Sequence, residues 1–110
     1  MNNRRTGAIG EELAEIMLLE KGYSILARNF RCRHGEIDII AAKGGAVAFV
    51  EVKTRLFESC GQGRESVTAA KRQRIRNCAM CYIAICGKEF EAVDFQVIEI
   101  NACHLKGLEF

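Results

Sequence analysis

The spacing of apolar positions switches between a period near 3.6 and a period of two, and the switches mark the elements. Residues 6–22 carry Ile9, Leu13, Ile16, Met17 and Glu20 at helical spacing, with Thr6 as N-cap and Gly22 as stop. A second, narrower stripe on that helix runs Gly7, Glu11, Ala14 and Leu18, so a helix lying on a sheet along it presents Glu11 to the sheet. Residues 23–30 alternate Tyr23, Ile25 and Ala27 against Ser24, Leu26 and Arg28 and predict a strand. Residues 35–40 and 49–55 predict two more strands rich in β-branched residues, joined through Lys43-Gly44-Gly45 as a hairpin. Residues 56–64, with Gly61-Gln62-Gly63, read as a loop, and a second helix runs from Glu65 or Ser66 to about Ile85. Its buried side is supplied by Val67, Ala70, Ile75, Cys78, Ala79, Tyr82 and Ile83. After a turn at Gly87-Lys88, residues 93–100 alternate Val93, Phe95 and Val97 against Asp94, Gln96 and Ile98, a last strand. The order α-β-β-β-α-β predicts an α/β fold, a mixed sheet flanked by helices.

The chain has 110 residues, no proline, no internal repeat and no low-complexity tract, so a single domain over residues 1–110 is expected. The absence of a signal-like segment or a long apolar run points to the cytoplasm, with no membrane partner. Six cysteines stand at 32, 60, 78, 81, 86 and 103. In a reducing compartment they are expected as free thiols, and the Cys78-x-x-Cys81 spacing falls inside a helical pattern with no second pair to make a zinc site. The formal net charge of +2 is small, but its distribution is uneven. Lys71, Arg72, Arg74 and Arg76 crowd the first half of the second helix, and Arg28, Arg31, Arg33 and His34 precede Glu36. Such runs form either a solvated face or a surface for a phosphodiester backbone.

Charge also interrupts two apolar strands where a buried strand should have none. By strand alternation Asp38 shares a face with Glu36 and Ile40, opposite Ile37 and Ile39, while Glu51 and Lys53 point away from Val50 and Val52. Pairing the two strands brings Asp38 close to Glu51 and Lys53. Two carboxylates and an ammonium together make either a structural ion pair or a site for a hard divalent cation with a lysine beside the reacting atom. Asp followed by Glu-x-Lys on the next strand is the core of the PD-(D/E)xK nuclease signature. Glu11 keeps two readings as well: an acid facing the sheet, or one that with Glu12 favours the positive end of its helix.

Gly10-Glu11-x-x-Ala14, Gly22-Tyr23, Ile25-Leu26-Ala27-Arg28-Asn29, Gly35-Glu36-Ile37-Asp38-Ile39-Ile40-Ala41 and Phe49-Val50-Glu51-Val52-Lys53-x-Arg55 occur in this order along the chain. With Gly61, Val67, Lys71 and Val93-Asp94 they make the chain resemble the bacterial YraN-like family. Those small proteins carry a restriction-endonuclease-like fold and are similar in fold to archaeal Holliday junction resolvases. The resemblance implies that Glu11, Asp38 and Glu51 are the family's acidic positions, Lys53 its lysine, and Lys71 a basic position at the start of the second helix. Ala92 and Val93 depart from the Arg and Phe that family members often carry there.

On this resemblance the expected function is a metal-dependent endonuclease acting on DNA, with branched or structured DNA as substrate. Asp38, Glu51, Glu11 and the Val52 carbonyl would hold Mg²⁺ or Mn²⁺, and Lys53, Glu51 and Asp38 would be the catalytic set. Lys71, Arg55, Arg72, Arg74 and Arg33 would hold the nucleic-acid backbone. Asp38→Ala or Lys53→Ala would end cleavage and leave the fold intact. A homodimer is expected only by analogy with junction resolvases, whose two sites cut paired strands. The alternatives are a non-catalytic nucleic-acid-binding module that keeps the fold, and a thiol-based metal or redox protein using Cys78, Cys81 and Cys86.

Overall fold

A computed structural model describes residues 3–55 and 68–101. Its elements are α1 (Asn3–Glu20), β1 (Ser24–Cys32), β2 (Gly35–Lys43), β3 (Ala46–Arg55), α2 (Ala69–Cys86) and β4 (Ala92–Asn101). The element order and the mixed α/β class are those expected. The sheet runs β1-β2-β3-β4, with β1/β2 and β2/β3 antiparallel and β3/β4 parallel. A parallel neighbour needs a crossover, and α2 lies in the connection that supplies it. None of the described helices is long and apolar enough to cross a membrane.

Each face of the sheet has its own core. Ala14 and Leu18 of α1 pack with Ile39, Ala41, Ala48 and Val50. Cys78 and Ala79 of α2 pack with Ile37, Ile40, Val47 and Phe49 on the other face. α1 therefore meets the sheet along its narrower stripe, and much of the main apolar stripe stays outside: Ile9 is 46% and Ile16 52% exposed. Small residues decide this. Gly10 is buried where a Cβ would run into the Thr54 side chain, so the helix lies close to β3 only along its small-residue side. Gly10→Ala is expected to lower stability by about 1–3 kcal/mol through overpacking, read as a drop in melting temperature.

Both helices shift their boundaries from the sequence expectation. α1 begins at Asn3, not Thr6, and ends at Glu20. α2 begins at Ala69, because the Thr68 hydroxyl accepts from the Lys71 backbone N–H at 3.1 Å and caps it there. The expected loop at 56–64, the expected helix start at Glu65 or Ser66, and Val67 lie outside the described residues, and Ala70 is exposed.

Strict alternation also fails, in two adjacent places. The β1/β2 register shifts between Ile25 and Ala27, so Ile25 packs on the α1 side while Leu26 and Ala27 both pack on the α2 side. Further on, Ile37 lies on the α2 side and Ile39 on the α1 side, correcting the expectation that they share a face. Their partners in β1 are Phe30 and Arg28, and between them stands Asn29 with φ of 50°. Asparagine tolerates that left-handed conformation better than most residues, and it takes up the slip.

Candidate active site

The slip sets Asp38 apart from the ladder. β2/β3 pairing runs from Lys43↔Ala46 to Ile39↔Val50 and goes no further, whereas β3 continues against β4 to Arg55. Where the next rung would stand, the Val52 N–H donates to Asp38 Oδ2 at 2.8 Å. A side-chain oxygen thus replaces a backbone acceptor. The N–H and C=O of one strand residue point to the same side, so the Val52 carbonyl also faces the gap.

Glu51 lies beside this gap on the α2 side, and its side chain is 15% exposed. Burial, then the Asp38 charge, pushes its carboxyl up to about 7, helped by a hydrogen bond with Asp38. The Lys71 and Lys53 charges oppose that rise, and Lys71 Nζ stands 3.5 Å from Glu51 Oε2. Glu11 comes from α1 and is held above the ordinary carboxyl range first by burial and then by Asp38. The Asn29 side chain hydrogen-bonds to it and partly offsets that shift. Glu11 lies in the middle of Asn3–Glu20, well past the first turn, so the helix-end reading of this acid does not hold.

Asp38 is therefore the shared neighbour of Glu51 and Glu11, and Lys53 acts on Glu51 from the same strand. Among the described residues, no three His, Cys, Asp or Glu side chains converge as a ready-made metal cage. Two adjacent carboxylates remain, beside a backbone carbonyl facing the gap. That oxygen set suits a small hard cation that keeps most of its waters.

The expected backbone-binding residues separate. Lys71 belongs to the acidic site through Glu51. Arg72 lines a cavity of about 550 Å³ beside Glu51, together with Arg76, Phe49 and Phe95. Arg74 is exposed on α2, and Arg33 is exposed near the β1/β2 turn, its Nε 3.4 Å from His34 Nε2. The Arg55 side chain lies outside the described residues. The basic run before Glu36 is partly neutralised, since Arg28 pairs with Glu15 and Arg31 with Glu36 at 2.7 Å. Sequence reasoning missed Asn29 and Phe95. An asparagine inside an otherwise strand-like run was the available signal for the first.

A family model described as "Uncharacterised protein family UPF0102" matches residues 10–100. The chain belongs to the UPF0102 family. It is 46% identical over 99 residues to a UPF0102 protein of Clostridium perfringens, covering 90% of this chain and 81% of that protein. It is 47% identical over 99 residues to one of Symbiobacterium thermophilum, covering 90% and 84%. A UPF0102 protein of Thermodesulfovibrio yellowstonii is 44% identical over 103 residues, covering 94% and 91%. The span matched to the family includes Glu11, Asn29, Asp38, Glu51, Lys53 and Lys71.

Away from the acids, this UPF0102 chain gathers three thiols. Cys32 Sγ lies 2.8 Å from Cys78 Sγ, and Cys81 also hydrogen-bonds to Cys32. Cys32, Cys78, Cys81 and Cys86 are free thiols, as expected, while Cys60 and Cys103 lie outside the described residues. Cys78 is fully buried and acts as a small core residue, so the Cys78-x-x-Cys81 pair does not stand open as a ligand pair.

Proposed function

We propose that this UPF0102 chain is a metal-dependent endonuclease with a restriction-endonuclease-like fold, hydrolysing phosphodiester bonds in branched or structured DNA. The observation that carries this reading is the Asp38–Glu51 pair at the point where β2 leaves β3. Two acids are held together there, one with its carboxyl pushed up to about 7, and two lysine charges oppose that shift. A structural ion pair needs one acid and one base. Two mutually repelling carboxylates at a half-buried gap are costly without a further cation.

Asp38, Glu51 and the Val52 carbonyl would hold Mg²⁺ or Mn²⁺, with Glu11 reaching it through water. When bound, the ion would acidify a coordinated water and offset negative charge on the phosphoryl oxygens. Lys53, on the Glu51 face of β3, orients the attacking water and stabilises charge that develops on the phosphate. The Lys71 charge opposes the rise in the Glu51 carboxyl and so favours the charged form that a cation needs. Arg72 and Arg74 hold flanking phosphates, contacts that carry little base information, so DNA structure and not sequence selects the cut.

Labelled linear and branched DNAs incubated with Mn²⁺ test this reading directly. The wild-type chain is expected to cut branched DNA, and Lys53→Ala is expected to cut at least about 100-fold more slowly. DNA binding by both proteins without cutting by either would make the chain a binding module. Equal cutting by both would remove Lys53 from the chemistry.

A further inference from the structure

The cavity beside Glu51 is built differently from a solvated helix edge. Because α2 covers β1 and β2 on its face of the sheet, β4 is left bare there, and Phe95 is 45% exposed. Phe95 is nonetheless held. It stacks on Phe49 with ring centroids 5.6 Å apart and planes 29° from parallel. Phe49 is buried and meets Tyr82 edge-on at 6.1 Å. Arg72 and Arg76, one helical turn apart on α2, line the same cavity, and so does Glu51 of the acidic site.

A fixed aromatic plate in a cavity lined by two arginines is complementary to a planar, anionic ligand. An apolar partner would leave both arginines desolvated without an anion, which is unfavourable. A nucleobase on Phe95 with its phosphates on Arg72 and Arg76 matches the exposed ring and both guanidiniums. The volume of about 550 Å³ lies within the range that accepts a small organic ligand. A base inside a duplex has both faces stacked and cannot reach the plate, so the base must be unpaired.

We infer that this cavity takes an unpaired nucleotide of a DNA strand. Given the nuclease reading, on which this second step rests, the DNA cut at Asp38 and Glu51 carries a single-stranded segment beside the scissile phosphate. The substrate class is then flapped or forked DNA, with blunt duplex a poor substrate.

The test is binding without cleavage, measured by fluorescence anisotropy of labelled single-stranded, forked and blunt duplex DNA in EDTA. The wild-type chain is expected to bind single-stranded and forked DNA about tenfold or more tighter than blunt duplex. Phe95→Ala is expected to lose about tenfold on single strands and forks, and less than about twofold on blunt duplex. Phe95→Leu keeps apolar volume on Phe49 but lacks the ring, and should behave like alanine; Phe95→Tyr should restore binding. Thermal melts identify any variant that fails to fold, and Phe95→Leu then carries the comparison.

Equal losses on all three DNAs, no loss in either ring-deleting variant, or no preference for unpaired strands in the wild-type chain would overturn the inference. So would a dimer dispersed by Phe95→Leu, since a second copy would then occupy this face. Because EDTA keeps metal out of the binding measurement, these outcomes are independent of the Lys53→Ala cleavage result that tests the nuclease reading itself.

Discussion

Asp38→Asn is expected to cut branched DNA at least about 100-fold more slowly than the wild-type chain with Mn²⁺, while its melting temperature stays close to wild type. The asparagine oxygen still accepts from the Val52 N–H, as Asp38 Oδ2 does at 2.8 Å, but brings no negative charge to the site. Asp38→Ala should be equally inactive yet less stable, because it leaves that half-buried N–H without its acceptor, a cost of about 1–3 kcal/mol. The sequence alone suggested that alanine here would leave the fold intact, and the bond to Val52 adds a stability cost to that expectation. Cleavage time courses with parallel thermal melts of both variants separate the two effects. Equal melting temperatures for Asp38→Asn and Asp38→Ala would mean that the bond to Val52 contributes nothing to stability.

Glu51 gives the second large effect, in the metal-free protein. Its carboxyl is pushed from 4.5 up to about 7, first by burial and then by Asp38, so the folded state holds this proton more tightly than the unfolded chain does. The group therefore costs nothing below about pH 4.5, and stability falls as pH rises through about 7. Above that window Glu51→Gln is expected to be more stable than wild type by about 1–2 kcal/mol, after discounting for the water that still reaches the site and for the lost Lys71 pair. Thermal melts between pH 5 and pH 8 in EDTA check this, with wild type falling across the series and Glu51→Gln falling less. A wild-type profile no steeper than that of Glu51→Gln would mean that the acids are not forced together.

Much of this arrangement was legible in the sequence because short-range rules govern it. β-branched runs gave β2 and β3, Lys43-Gly44-Gly45 gave their hairpin, and alternation put Glu51 and Lys53 on one face. What escaped was set by tertiary packing. The wide stripe of Ile9 and Ile16 outweighs Gly10, Ala14 and Leu18 in hydrophobicity, yet the smaller set is buried, because close approach to Thr54 admits only small residues. The slip at Asn29 and Asp38 was equally hidden, since a period-two pattern carries no mark of a residue that changes faces. That slip positions the candidate site: it ends the β2/β3 ladder and leaves the Asp38 side chain in the place of a rung. Phe95 read only as one member of an alternating row in the last strand, and the placement of α2 over β1 and β2 leaves it at a cavity.

The central claim is that Asp38 and Glu51 together hold a divalent cation, and calorimetric titration of Mn²⁺ into the metal-free protein at pH 8 tests it most directly. The predicted result is saturable binding of one ion per chain in the wild type, at least about tenfold weaker in Asp38→Asn and in Glu51→Gln. Wild-type binding that neither substitution weakens, or no binding at millimolar Mn²⁺, would contradict it.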